Sequence, residues 1–252
     1  MFKEVKILAS HGRQYIDNLR TQKVSEIFRG RPVISKNISA EEIKEVSGLC
    51  PVYAIDSISG SIDLGKCVFC KECSFFLPEK IRFTNDYHVA GNSRESLIVK
   101  PGMEGPMRLD ESKVRIEIRR IFKGALKLRE VSAGGDNSSE MELSATGNVN
   151  FDFGRYGIEF VASPRHADGI VITGPISENM AEALDITYKA IPSPKIIILA
   201  GTDAISGGIF EGSPAIDRKF IEKYHIDLYV PGNPIHPLTF INGVLDLLDI
   251  KG

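Results

Sequence analysis

The sequence predicts an α/β protein in two parts, a small N-terminal α+β unit and a larger doubly wound parallel sheet. Three observations predict it. From Leu126 onward, short apolar runs alternate with helical patterns, the order that gives parallel strands joined by crossover helices. One of those runs, Lys195-Ile-Ile-Ile-Leu-Ala200, is apolar at every position after the lysine, as a strand buried on both faces should be. And all four cysteines fall between Cys50 and Cys73, so the first part carries a chemistry that the second lacks. The expected divisions are residues 1–100, a linker and helix over 101–124, and the sheet domain over 125–252.

The elements follow in order. Residues 1–30 read as a short strand-like start and then a helix, with Ile16, Leu19, Val24 and Ile27 on one face. Phe28-Arg-Gly-Arg-Pro32 breaks the pattern, and Val33-Ile34 opens the next strand. Ser39 stands as an N-cap with Glu41, Glu42 and Glu45 behind it, which predicts a helix to Ser47. Asp56 to Asp63 alternates around Gly60 as a hairpin, and Ile81-Arg-Phe-Thr84 closes the unit. Leu97 to Lys100 reads as a strand, and Pro101 to Pro106 as a turn-rich linker. Val114 to Leu126 is an amphipathic helix carrying Arg115, Arg119, Arg120 and Lys123, read as a solvated face. Strands are then predicted at Leu126–Val131, Ile158–Val161, Gly169–Thr173, Lys195–Ala200 and Ile226–Val230. Helices are predicted at Ser139–Ala145, Ser177–Ala190 and Pro237–Leu248.

Composition narrows the class. The chain has 252 residues, 42% of them apolar and 25% charged, which describes a soluble globular protein. A net charge of −2 gives no reason to expect nucleic-acid binding. No stretch approaches the ~18 uncharged apolar residues of a membrane-spanning helix, and Met1-Phe-Lys-Glu-Val-Lys6 has no apolar signal-peptide core. These readings predict a cytoplasmic protein, attached to the inner face of a membrane only through partners.

The cysteines carry the strongest chemical signal. They read Cys50-Pro51, then Cys67-Val-Phe-Cys70-Lys-Glu-Cys73. In two-cluster bacterial ferredoxins each run is C-x2-C-x2-C-x3-C-P, and the fourth cysteine of one run ligates the other cluster. Cys67, Cys70 and Cys73 match the first three ligands of one run, and Cys50 the fourth of the other. The four therefore predict one 4Fe-4S cluster, the chain's expected cofactor, in a ferredoxin-like unit. The ligand positions of a second cluster hold Ala40, Ile43, Val46 and Leu77, which predict a packed core instead. Two other readings stand beside this one. A four-cysteine zinc site also uses C-x2-C spacing, but a third cysteine at the same spacing and the following Ala54-Ile55 fit a ferredoxin better. A disulfide pair is disfavoured by the close spacing and by the absence of any sign of secretion.

Five polar or glycine-rich loops punctuate the sheet domain, and the carboxyl ends of such strands are where ligands bind. They are Ala133 to Ser139, Ser163 to Asp168, Thr173 to Pro175, Gly201 to Gly208 and Pro231 to Pro234, expected on one rim. They contain neither a P-loop lysine nor a G-x-G-x-x-G, so nucleotide binding gains little support.

These loops carry a resemblance. Ser163-Pro-Arg-His-Ala-Asp168, Thr173-Gly-Pro175, Ser206-Gly-Gly-Ile-Phe210 and Tyr229-Val-Pro-Gly-Asn-Pro234 resemble the small subunit of group 4, energy-converting nickel–iron hydrogenases. They equally resemble its homologue, the B-type subunit of complex I (NADH–quinone oxidoreductase). Phe28-Arg-Gly-Arg-Pro32 and Ile81-Arg-Phe-Thr-Asn-Asp-Tyr87 resemble the two-cluster ferredoxin subunit of the same complexes, so the chain looks like two neighbouring subunits fused. The resemblance implies a flavodoxin-like sheet domain over 125–252 and a large-subunit homologue as partner, with membrane subunits beyond it.

Members of that family hold a proximal 4Fe-4S cluster on four cysteines in these loops. Here the matching positions are Asp136, Ser139, Asp203 and Asn233, hard oxygen donors in place of soft thiolates, so no proximal cluster is expected. A hydrogen-bonded polar network is the simpler expectation for this emptied site, and a magnesium or calcium site the sharper one. Arg165 and His166 are expected on the same rim, facing a partner. No catalytic residue is predicted. The role implied is that of an electron-transfer component of an oxidoreductase. The alternatives are a degenerate scaffold docking a large-subunit homologue, or a hard-metal or small-ligand binding protein.

Overall fold

The structure, a computed structural model, describes residues 2–12 and 14–251; Met1, Arg13 and Gly252, which belong to the N-terminal and C-terminal readings above, lie outside them. The first helix, α1 (Phe2–His11), stands exposed where a strand-like start is expected. The expected helix after it is irregular chain. Its polar backbone finds distant partners: Ile16 N donates to Asn150 O, and Leu19 O accepts from Tyr87 Oη and Asn242 Nδ2.

The N-terminal unit is built from short pieces. β1 (Pro32–Ile34) is followed by α2 (Ala40–Leu49), whose start is fixed by a capping box between Ser39 and Glu42. Next come β2 (Ile62–Asp63), α3 (Glu72–Phe76), β3 (Ile81–Phe83) and β4 (Ile98–Val99). β1 pairs antiparallel with β3, and β2 with β4. The expected hairpin at Asp56–Asp63 is thus a turn held by one Ile55–Ile62 bridge, with its second arm completed by β4. Of the four apolar residues at the second-cluster positions, Ile43 and Val46 are buried and Leu77 packs half-buried against the same core. Ala40 faces solvent, because it begins α2 on its outer side.

α4 (Ile116–Phe122) leads into the sheet. Of the basic residues expected on a solvated face, Arg120 and Lys123 are exposed, whereas Arg115 and Arg119 are drawn inward. Arg115 grips buried Asp227 at 2.8 and 3.0 Å and the Lys195 carbonyl, and Arg119 donates to the Leu247 carbonyl.

The sheet contains β5 (Leu126–Ser132), β6 (Ile158–Phe160), β7 (Gly169–Thr173), β8 (Ile196–Ala200) and β9 (Leu228–Val230), all parallel, in the order β6-β5-β7-β8-β9. Counted within the sheet this is second-first-third-fourth-fifth, the flavodoxin-like order, whose switch point lies between β5 and β7. β7 and β8 are buried at every position, as their unbroken apolar runs require. α5 (Ser138–Ala145), α6 (Glu178–Ala190), α7 (Thr202–Ser206), α8 (Lys219–Lys223) and α9 (Pro237–Leu247) complete the chain.

Two cores cover the sheet. One joins Leu126, Leu128, Val171, Ile198 and Val230 to α9, which is buried at every residue but Asp246. The other runs without a break from Ile170, Ile172, Ile197 and Leu199 into Ile34, Val46, Ile62, Cys67 and Phe69 of the N-terminal unit. Gly91 and Tyr229 exchange backbone hydrogen bonds of 3.0 and 2.7 Å, which cover the open edge of β9. Among the described residues no helix is long and apolar enough to cross a membrane.

Candidate functional site

The four cysteines come together. Cys50 closes α2, Cys67 lies beyond the turn after β2, and Cys70 and Cys73 flank the start of α3. All four line one pocket with Pro51, Val52, Ala54, Ile55, Ile62 and Phe83, and all are free thiols. Two non-glycine residues between them, Phe69 (φ 53°) and Lys71 (φ 74°), adopt left-handed backbone, a costly conformation kept only where the surroundings enforce it. Here it folds the Cys67–Cys73 loop around the pocket. Backbone donors point at two sulfurs: Ala54 N lies 3.2 Å from Cys50 Sγ and Phe69 N 3.3 Å from Cys67 Sγ.

Burial raises the Cys67 thiol well above its ordinary range. It pushes Cys73 up to about 12, with the neighbouring Cys70 and Cys50 thiols adding to the effect. Among the described residues no three His, Cys, Asp or Glu side chains gather closely enough to grip a single metal ion.

The loop is braced from both sides. Arg29 Nη1 donates to the Phe69 carbonyl at 2.8 Å and the Cys70 carbonyl at 3.3 Å. Thr202 Oγ1, at the head of α7, donates to the buried Cys67 carbonyl at 2.9 Å. Lys66 pairs with Glu211 at 2.7 Å. The cysteine pocket therefore sits directly on the carboxyl end of the sheet.

The rim beside it gathers three of the four expected polar positions. Asp136, Asp203 and Asn233 line one open cavity of about 500 Å³ with Val68, Gly134, Gly135, Ile209 and Phe210. Asn233 Nδ2 donates to Asp203 Oδ1 at 3.5 Å. Gly208 makes room there, since a Cβ would meet Asp203 Oδ1 at 1.9 Å. Ser139 stands just behind, against Gly201. Asp136 accepts from Ser138 N and Oγ, which hold its carboxyl below the usual range. Asp203 is raised, first by burial and then by Asp136 and Glu140.

Arg165 and His166 do not join this cavity. They are exposed on the Pro164–His166 turn, whose end is tied to the amino-terminal start of β5: Asp168 N donates to the Lys127 carbonyl and Lys127 N to Asp168 Oδ2. The loop leaves the short strand β6 at the level of Leu128, so it never reaches the carboxyl rim.

Sequence reasoning missed Arg29, Thr202 and Arg218. Arg218 holds the rim by donating to the carbonyls of Pro175, Ala204 and Ile205. Arg29 lies in the Phe28-Arg-Gly-Arg-Pro32 motif and Thr202 in the Gly201–Gly208 loop, but neither pattern signals a bond to the cysteine loop.

Comparison with known proteins agrees with the fold. Residues 137–247 match the family described as NADH ubiquinone oxidoreductase, 20 Kd subunit. A probable membrane-bound hydrogenase subunit mbhJ from Pyrococcus furiosus is 33% identical over 119 residues, covering 47% of this chain and 71% of the relative. The B-type subunit of an NADH-quinone oxidoreductase from Geotalea daltonii is 38% identical over 112 residues, covering 44% of this chain and 65% of the relative. Formate hydrogenlyase subunit 7 from Escherichia coli is 34% identical over 155 residues, covering 60% of this chain and 61% of the relative. The chain thus spans roughly two thirds of the relatives it matches.

Proposed function

Because the chain belongs to the family of the NADH ubiquinone oxidoreductase 20 Kd subunit, we propose that it is an iron–sulfur electron-transfer subunit of a hydrogenase-like or complex I-like assembly. One 4Fe-4S cluster is held by Cys50, Cys67, Cys70 and Cys73 in a ferredoxin-like N-terminal unit. The single observation that carries this is the convergence of all four thiols on one pocket whose other lining is apolar apart from Lys71 and Glu72. Their chemistry fits the group, since iron–sulfur clusters are held by cysteine thiolates.

When bound, such a cluster supplies a one-electron store. The chain's own residues do the rest. The cysteines give up their protons and bind iron. The amides of Ala54 and Phe69 donate to the sulfurs of Cys50 and Cys67 and stabilise negative charge there. Val52, Ile55, Ile62 and Phe83 keep water out. Asp136, Ser139, Asp203 and Asn233 offer no thiolate, so the rim carries no second cluster. The expected partner is a large-subunit homologue, and attachment to a membrane runs through it.

The test is purification without oxygen, followed by iron and acid-labile sulfide analysis and electron paramagnetic resonance of the reduced protein. Four irons and four sulfides per chain are expected, and Cys70→Ser should lose or destabilise the cluster. A colourless zinc protein would sink this reading, and eight irons would show that the rim holds a cluster after all.

A further inference from the structure

An open cavity of about 640 Å³ lies between the 86–88 loop, the 106–111 linker and the end of α9. It shares no lining residue with the cysteine pocket or with the rim. One histidine on its wall is held in place. His88 stacks on the buried Tyr87 ring at 4.4 Å, and its backbone N and its Nδ1 each lie 3.0 Å from Asp86 Oδ1. Burial works against the Asp86 carboxylate, but the His88 bonds and the Arg31 charge outweigh it and hold the carboxyl below its usual range. An ionised Asp86 places the ring hydrogen on Nδ1 and leaves Nε2 to accept from a ligand.

The charges of the wall are a second observation. Every carboxylate there already has a cation: Asp86 has Arg31, Glu111 has Arg119, Asp246 has Arg20 and Asp249 has Lys123. Arg108 and Lys251 are exposed and have no ion-pair partner among the described residues. The charge left uncommitted is therefore positive, and a cleft with one sign of charge concentrates the opposite sign. Met107, Leu109 and Ile250 add an apolar wall beside it.

We propose that this cavity binds a small molecule carrying a phosphate monoester. The guanidinium of Arg108 offers a charged fork to phosphate oxygens. A monoester gives up its second proton at about pH 6, so near neutrality part of its population keeps an O–H, which donates to His88 Nε2. A carboxylate matches the fork but has no O–H to give. The apolar wall suits an organic body on the phosphate, which inorganic phosphate lacks. Such a ligand touches three stretches far apart in the chain, so the folded state alone binds it and is stabilised by it. None of this depends on the cluster proposed above.

The test uses the whole chain, purified without oxygen, in calorimetric titrations near neutral pH and at low ionic strength. Phenyl phosphate should bind tightest, inorganic phosphate about tenfold more weakly for want of the apolar contact, and benzoate more weakly than phenyl phosphate. Arg108→Gln should weaken phenyl phosphate about tenfold; the side chain is exposed and unpaired, so the fold is not at stake. His88→Gln should weaken phenyl phosphate and leave benzoate unchanged. Lys44→Gln, the same loss of charge at an exposed site on α2, should change neither. Phenyl phosphate should raise the melting temperature of the native chain but not that of Arg108→Gln. In protein labelled with nitrogen-15 histidine, the Nε2 resonance of His88 should move with phenyl phosphate and stay in place with benzoate.

Benzoate bound as tightly as phenyl phosphate would overturn the inference. So would equal losses in the Arg108 and Lys44 variants, a His88 resonance unmoved at saturating phenyl phosphate, or the absence of both heat and thermal shift. Iron and sulfide content has no part in these readouts. A preparation without them overturns the function proposed above and leaves this inference standing.

Discussion

Arg29 illustrates how one exposed residue can shape the half-buried cysteine loop. Its guanidinium bonds to the Phe69 and Cys70 carbonyls, and the amide of the same Phe69 donates to Cys67 Sγ. The side chain therefore fixes the left-handed peptide that aims an N–H at the sulfur, and sets a positive charge beside the loop. Positive charge and donors to sulfur both favour the reduced state of an iron–sulfur group. Arg29→Gln should move the midpoint potential to more negative values by about 30 mV, the size expected of one partly screened charge. Arg29→Lys should recover part of the shift, because it keeps the charge but loses the fork. A potentiometric titration followed by paramagnetic resonance checks this. Equal potentials in all three proteins would reduce Arg29 to a surface contact.

At the scale of elements, the packing of α5 on β5 brings two carboxyl groups together. Glu140 in α5 accepts from Ser132 Oγ and Thr173 Oγ1. Burial, then Glu140, raises Glu130 in β5 to about 7 from an ordinary value of 4.5. The fold thus favours protonated Glu130. That contribution is fully present below the ordinary value and is lost as the pH rises through about 7. Glu130→Gln should therefore match the native stability near pH 4 and exceed it by ~1–2 kcal/mol above pH 7, after discounting for solvent screening. Urea unfolding of both proteins across that range measures it, and a difference independent of pH would refute the assignment.

The five strands and three of the five helices of this sheet domain were legible in the sequence because their signals are local, whereas α7 and α8, five residues each, are too short to show a helical period. Unbroken apolar runs mark β7 and β8, and Ser39 with Glu42 marks the start of α2 in the same way. The irregular segment containing Leu19 was not legible. Its apolar spacing imitates a helix, while its burial comes from α9 and Tyr87, far along the chain. Arg115 and Arg119 misled for the same reason, since Asp227 and the Leu247 carbonyl lie over a hundred residues away, whereas Arg120 and Lys123 are exposed as expected.

For the whole molecule, the sequence showed two chemistries but not that they meet. The cysteine spacing implied a pocket, and the loops implied a rim. Their adjacency depends on Thr202 reaching Cys67 across 135 residues, on Lys66 with Glu211, and on the core that runs from Ile172 into Ile62 and Phe69. Such a core predicts that the two parts are one cooperative unit, in which the proposed cluster would contribute to folding as a whole. Removing iron should lower the melting temperature of the sheet as well as of the N-terminal unit, in a single transition. Thr202→Val should leave the buried Cys67 carbonyl unpaired at a cost of ~1–2 kcal/mol. It should also raise hydrogen exchange both in the 64–73 loop and in the α7 segment. Exchange measured by mass spectrometry on the loaded native protein, the iron-free protein and this variant decides the matter. Two melting transitions, or faster exchange confined to the loop, would mean that the cysteine unit and the sheet fold independently.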